Sequence, residues 1–177
     1  MLRPLLFLLL VLVGCASPRP DAPRTVPAVD LARYAGLWHE AARFPNRFQD
    51  GSGVSCTDVT AAYAPRPDGQ IGVLNRCRNA AAGWAERVAE GRAYAVEGSG
   101  GARLRVSFFW PFYGDYWVVG LSPDYRWAVV GSPGRDYLWL LSRTPAMAPG
   151  DYDAAVAIAR REGFDTSRLR PTVRRGA

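Results

Sequence analysis

Between residues 37 and 143 the chain alternates short β-like runs with clusters of turn-forming residues. Candidate strands fall at about 37–45, 54–64, 70–79, 84–96, 102–110, 115–122, 126–132 and 136–143, eight in all. The breaks are built from turn residues: Arg66-Pro67-Asp68-Gly69, Gly98-Ser99-Gly100-Gly101, Pro123-Asp124 and Pro133-Gly134-Arg135-Asp136. Connections this short join antiparallel neighbours. A meander of eight such strands closes into an up-and-down barrel, which removes the sheet edges that would otherwise attract other chains. The architecture expected is therefore all-β, an eight-stranded antiparallel barrel. Two short helices frame it. Asp30 caps a single turn over Leu31–Tyr34 that Gly36 ends, and Asp151–Glu162 carries Tyr152, Ala155, Val156 and Ala159 on one stripe, with Gly163 as the left-handed cap. That second helix is expected to lie against the outside of the barrel. At 177 residues there is room for one such domain and no second.

The first fourteen residues have a different purpose. Arg3 precedes an unbroken apolar run from Leu5 to Val13, too short to span a bilayer and suited to the core of a secretory signal. The run ends Leu12-Val13-Gly14-Cys15, which resembles the lipobox of bacterial lipoproteins. That resemblance implies cleavage before Cys15, with diacylglycerol on its thiol and an acyl group such as palmitate on the new amino terminus. More than one acyl chain makes the anchorage stable. Ala16 follows the cysteine where an aspartate would favour retention in the inner membrane, so the outer membrane is expected, with the folded domain facing the periplasm. Residues 15–28, rich in proline, are expected to be the lipidated Cys15 and a flexible tether. The folded domain is expected over 29–170, and 171–177 as a tail.

Export places the remaining cysteines, Cys56 and Cys77, in an oxidising compartment where an even pair favours a disulfide. Their midpoint falls inside the Pro65–Gly69 turn, so a hairpin sets them opposite each other. Closing that loop would stabilise the domain by about 3 kcal/mol. Enzymatic and metal chemistry find little support. Gly-x-Ser-x-Gly, phosphate-loop and dinucleotide patterns are missing, and the single His39 with no Cys-x-x-Cys excludes an ordinary zinc site. His39 and Glu40 are neighbours, but adjacent strand residues face opposite sides of a sheet and form no dyad. Glu40, on the Trp38 side, needs a partner such as an arginine or tyrosine. The net charge of +6, or +5 once Arg3 is removed, suits an anionic lipid surface. The scattered arginines do not form a nucleic-acid footprint.

Four stretches together resemble the lipocalins, most closely the bacterial outer-membrane lipoprotein group. Tyr34-Ala35-Gly36-Leu37-Trp38 is similar to the family's opening Gly-x-Trp strand, and Leu121 to Val130 to its second element. Asp136 to Pro145 is similar to the closing strand with its arginine. The stretch Val106 to Tyr116 matches the bacterial branch. Ser122-Pro123-Asp124-Tyr125 departs from the Thr-Asp-Tyr of eukaryotic members. The resemblance implies that Gly36, Trp38 and Arg143 form a structural stopper at one end, with Arg143 stacked on the Trp38 ring at about 0.5–2 kcal/mol. One end of the barrel is then open.

If Trp38 points inward, strict alternation places Ala42 and Phe44 inside as well, and the same reasoning sends Val106, Phe108, Tyr116 and Trp139 to the lumen. The resemblance implies a non-enzymatic protein without a cofactor. It binds and stores or transports a fatty acid or lysophospholipid for membrane maintenance. The other reading is a structural or interaction lipoprotein with a filled barrel. A homodimer is left open, since nothing in the sequence specifies one.

Overall fold

The computed structural model describes residues 21–175; the expected signal segment, Cys15 and the start of the tether lie outside the described residues. Strands β1 (Gly36–Arg43), β2 (Cys56–Pro65), β3 (Ile71–Asn79), β4 (Ala85–Ala95), β5 (Arg103–Phe109), β6 (Phe112–Leu121), β7 (Trp127–Gly131) and β8 (Leu138–Ser142) each pair antiparallel with the next. The sheet closes because β1 pairs with β2 along Gly36–His39 and with β8 along His39–Arg43. A closed eight-stranded barrel is thus present, as the turn spacing requires. Helix α1 (Leu31–Tyr34) crosses one end, with the Asp30 carboxylate accepting from the amides of Ala32 and Arg33. Helix α2 (Pro149–Arg161) lies on the outside against β6 and β7.

The barrel wall serves two separate cores. Inward-facing Trp38, Tyr63, Val73, Ala93, Leu104, Val118, Val130 and Leu141 belong to one cluster, which also takes in Tyr34 of α1. Trp127, Val129, Leu138 and Leu140 look outward, into a second cluster with Ala155, Ala159 and Phe164. This is why β7 is buried along its whole length rather than on alternate residues.

A bulge in β1 divides the strand between these two cores. Glu40 is in register with Leu141 of the lumen, but the next paired position, Ala42, is opposite outward-facing Leu140. One residue too many on β1 reverses the facing of everything beyond it. Ala42 and Phe44 therefore do not line the lumen as alternation predicts. Both are completely buried in the outer core, where the Phe44 ring meets Phe164 at 6.4 Å and Arg168 lies over it.

The cysteines are joined, with their Cα atoms 5.4 Å apart. The bond runs diagonally rather than straight across, because Cys56 is in register with Asn79 and a bulge lies between Thr57 and Thr60.

Both ends of the chain extend the domain beyond 29–170. Within the expected tether, residues 21–28 lie along the barrel: Pro23 is buried, Arg24 is paired with Glu162, and the Val26 amide donates to the Val118 carbonyl. In the expected tail, β9 (Arg170–Pro171) adds to the upper edge of β1, and the Asp58 amide of β2 donates to Val173. The C-terminal segment thereby bridges β1 and β2 where they part.

Helix α2 and the segment that follows it come close to the sheet because two wall positions lack side chains. A Cβ on Gly120 would stand 2.9 Å from Ile158, and one on Gly131 2.4 Å from the ring of Phe164. Replacing Gly131 by alanine is expected to cost about 1–3 kcal/mol by overpacking. A urea unfolding curve would show it as a lower midpoint with an unchanged slope.

Candidate functional site

The closed end is assembled from α1, the start of β1 and the residue after β8. Gly36 turns the chain into β1 with φ of +93°, and a Cβ there would press on the Arg143 guanidinium at 3.4 Å. Trp38, fully buried, donates its indole N–H to the Tyr34 carbonyl at 2.8 Å. Arg143 lies 3.9 Å above that indole and donates to the carbonyls of Leu37 (2.9 Å), Arg33 (2.7 Å), Tyr34 (3.1 Å) and Tyr125 (3.3 Å). Four carbonyls take the place of water around the cation, so the base is tied to α1, β1 and the β6–β7 turn at once.

Above Trp38 the lumen floor is a chain of phenols. The Tyr116 hydroxyl is 2.7 Å from that of Tyr34 and 2.9 Å from that of Tyr63. Burial pushes the acidity of all three groups down, Tyr63 to a pKa of about 12, so they stay neutral donors and acceptors. Three hydroxyl protons serve two mutual contacts, which leaves one O–H over for anything that enters from above.

From this floor upward the wall loosens on one side. Leu104, Val118 and Val130 are sealed, whereas Ala61, Val106, Tyr116 and Trp139, packed on the same inner cluster, are only half-buried. By register with Val73 and Asn75, the inward positions of β4 are the small Gly91 and Ala89, and Gly114 of β6 is opposite Val106. A Cβ on Gly114 would find only its partner's carbonyl oxygen, at 3.9 Å. Asn75 Oδ1 is buried without a hydrogen-bond partner. The β3–β6 side of the upper barrel is thus a cup with an apolar wall, small residues and an unmatched polar acceptor.

The opposite side of the mouth is roofed by the loop 44–55, and the roof is pinned by charge. Arg43 reaches inward beside Glu40, with its Nη1 2.7 Å from the Glu40 carboxylate, and clasps Asp50 of the loop through Nε (2.9 Å) and Nη2. Gln49 donates to Glu40 at 2.6 Å and accepts from the Trp139 indole at 2.9 Å; the Thr172 hydroxyl donates to Glu40. Burial alone would push the Arg43 pKa down, but the two carboxylates outweigh it and hold the guanidinium charged. For Asp50, burial pushes upward, and the Arg43 hydrogen bonds with the Asn46 amide overcome it, keeping the carboxyl below its ordinary value.

Of the residues singled out from sequence, Gly36, Trp38 and Arg143 meet at the base, while Val106 and Tyr116 pack on the inner cluster from β5 and β6 and Trp139 does so from β8, beneath the roof loop. Phe108 lies at the rim, half-exposed against the bare backbone of Gly91, and Ala42 and Phe44 are elsewhere altogether. The sequence reading missed Tyr34 and Tyr63. Tyr63 was within reach of it, since the β2 hairpin parity that points Ala61 at Trp38 also points Tyr63 inward. Glu40 finds the arginine partner it requires in Arg43, three residues along its own strand, toward the top of the barrel. His39 faces away from Glu40; burial and the charge of Arg174 both lower its pKa.

Comparison with known proteins agrees with this architecture. Residues 29–174 match the model of a lipocalin-like domain. The chain is 45% identical over 162 residues to the outer membrane lipoprotein Blc of Escherichia coli K12, covering 90% of this chain and 88% of that one. It is 44% identical to Blc of Vibrio cholerae, covering 90% of each, and 42% identical to temperature-induced lipocalin-1 of Arabidopsis thaliana, covering 83% and 80%. Among solved structures, insecticyanin of the tobacco hornworm Manduca sexta superposes with a TM-score of 0.70 at 16% identity, over 89% of this chain and 86% of that one. Lobster apocrustacyanin A1 gives 0.66 at 14%, over 90% and 94%. A barrel stopped at one end is the architecture of lipocalins, and the match to their domain over 29–174 makes this a binding protein. The chain belongs to the lipocalin family.

The Asp50 clasp makes the roof acid-sensitive. A carboxyl held low in the folded state contributes stability that is complete above its unfolded pKa and is lost as pH falls through the folded one. Hydrogen exchange over residues 44–55 is therefore expected to accelerate below about pH 4. In Asp50→Asn the loop should exchange rapidly already at neutral pH, with little further change on acidification.

Proposed function

We propose that the protein is an outer-membrane lipoprotein that carries a single-chain lipid, a fatty acid or lysophospholipid, with the acyl chain in the cup and the head group at the mouth. The observation that carries this reading is the contrast between a sealed base and a loosened upper wall on β3–β6. The room is apolar, open at one end, and floored by hydroxyls. Since Trp38, Tyr34 and Tyr63 fill the lower barrel, the cup is shallow. It suits one chain rather than the paired chains of an ordinary phospholipid. The arginines at the mouth complement the anionic head of such a lipid. Anchorage through Cys15, after loss of residues 1–14, places the carrier at the membrane it serves. The kinship with outer membrane lipoproteins of enteric bacteria supports that location.

Native mass spectrometry of protein purified without detergent is expected to show one bound lipid, and fatty acid or lysophospholipid to quench the indole fluorescence of Trp139. Gly114→Leu, which puts a side chain into the open part of the cup, should weaken this binding by about tenfold or more, a loss of some 1.4 kcal/mol per tenfold, while thermal stability hardly changes. Absence of both extracted lipid and quenching would refute the reading and leave a barrel valued for its outer surface.

A further inference from the structure

The open and closed ends of the barrel differ in what they show to solvent. Of the large apolar side chains left exposed, most stand at the open end: Phe48 in the roof loop, Trp84 in the β3–β4 turn, and Phe109, Trp110 and Phe112 around the β5–β6 tip. The last three are 81%, 72% and 77% exposed. The exposed tip is built as a wedge, since no charged residue interrupts Phe108 to Tyr113. Arginines stand among these rings: Arg47 in the roof loop and Arg174 and Arg175 in the C-terminal segment. Two of the open-end arginines lie directly over exposed aromatic rings, Arg47 on Phe48 at 5.1 Å and Arg175 on Trp84 at 4.4 Å. Aromatic rings among arginines are the chemistry of a bilayer interface, with rings at the head-group level and guanidinium groups on the phosphates.

The path of the N-terminal segment points the same way. It runs along the outside from mouth to base. Asp21 accepts from Arg135 in the open-end β7–β8 turn, Arg24 pairs with Glu162, Val26 bonds to Val118, and Val29 reaches Gly100 in a closed-end turn. Tracing backward, the chain leaves the domain at the mouth. From Asp21 to Cys15 is six residues, at most about 20 Å of extended chain. The eleven residues of β4 alone measure about 36 Å. An anchor on so short a lead cannot swing round to bring the base to the bilayer.

We propose that the mouth of the barrel rests on an anionic lipid bilayer, with Phe109, Trp110 and Phe112 inserted among the head groups, so that lipid enters and leaves the cup directly at the membrane surface. The part played by the anchor rests on the lipoprotein reading above; the aromatic contact stands without it. The two are separated by using the mature chain with Cys15→Ser, which has no lipid to hold it. That chain is expected to cosediment with vesicles of three parts phosphatidylethanolamine to one part phosphatidylglycerol, and to release them at high salt. A Phe109→Ser/Trp110→Ser/Phe112→Ser variant should bind about tenfold more weakly or worse, whereas Leu37→Ser, at an exposed closed-end position, should bind as before. Unchanged melting and fatty-acid quenching would show that the triple variant is folded. In the lipidated protein, phospholipids brominated near the head group should quench tryptophan emission less once Trp110 is replaced by phenylalanine. Equal vesicle binding by the triple variant, or none by the parent, would overturn the proposal. So would a loss of self-association in the triple variant with no effect on vesicles, which would assign the rim to a second copy of this chain. Release of Cys15→Ser from the membrane fraction of cells reports on the anchor alone.

Discussion

A rolled sheet has two holes, and the use of this barrel depends on stopping one of them. Arg143 does so with a single side chain that is both a flat surface and a set of donors. Its face covers the Trp38 ring and its edges collect carbonyls from three separate segments. A lysine would supply the charge without the plane or the fork. Once the base is fixed in this way, Tyr34 is held over the lumen, and its hydroxyl fixes those of Tyr116 and, beyond it, Tyr63. The depth of the cup is therefore decided at the stopper, by how far the filling from below extends.

The top of the barrel uses the opposite strategy. Where β1 and β2 separate, the fold inserts the C-terminal segment on one side and a buried cluster of charges on the other. Arg43 between Glu40 and Asp50 is an arrangement that costs much desolvation and is kept only when every donor and acceptor is matched. Here Gln49, Thr172 and the Cys56 carbonyl supply the matching. The cluster specifies one position for the loop 44–55 rather than adding apolar stability. It therefore divides the mouth into a covered half and an accessible half.

Much of this was legible in the residues, and the exceptions have physical causes. Turn chemistry located all eight strands within a few positions, since Pro-Asp-Gly and Gly-rich clusters permit little else. The cap by Asp30, the stop at Gly163 and the Cys56–Cys77 bond are set by local geometry or a short hairpin and could be read directly. Side-chain facing was legible only as far as the first irregularity. Alternation from Trp38 reaches Glu40 correctly and fails at Ala42 and Phe44, because the bulge falls where β9 takes over from β2 along one edge of β1 while β8 continues on the other. β9 itself was hidden, since two residues carry no periodicity. The clasp of Asp50 joins residues only seven apart, yet it requires a loop conformation that no pattern in 44–55 declares.

That bulge gives β1 a dual allegiance. Its first half belongs to the lumen and its second to the helix-covered exterior, and the changeover occurs within a single peptide step. Residues that shape the cargo space and residues that dock α2 therefore sit in compartments sharing a wall but few atoms. Substitutions at Ala61 or Gly114 can retune the lumen without loosening the outer packing around Phe44 and Phe164, an insulation that lets one scaffold change its passenger and keep its frame.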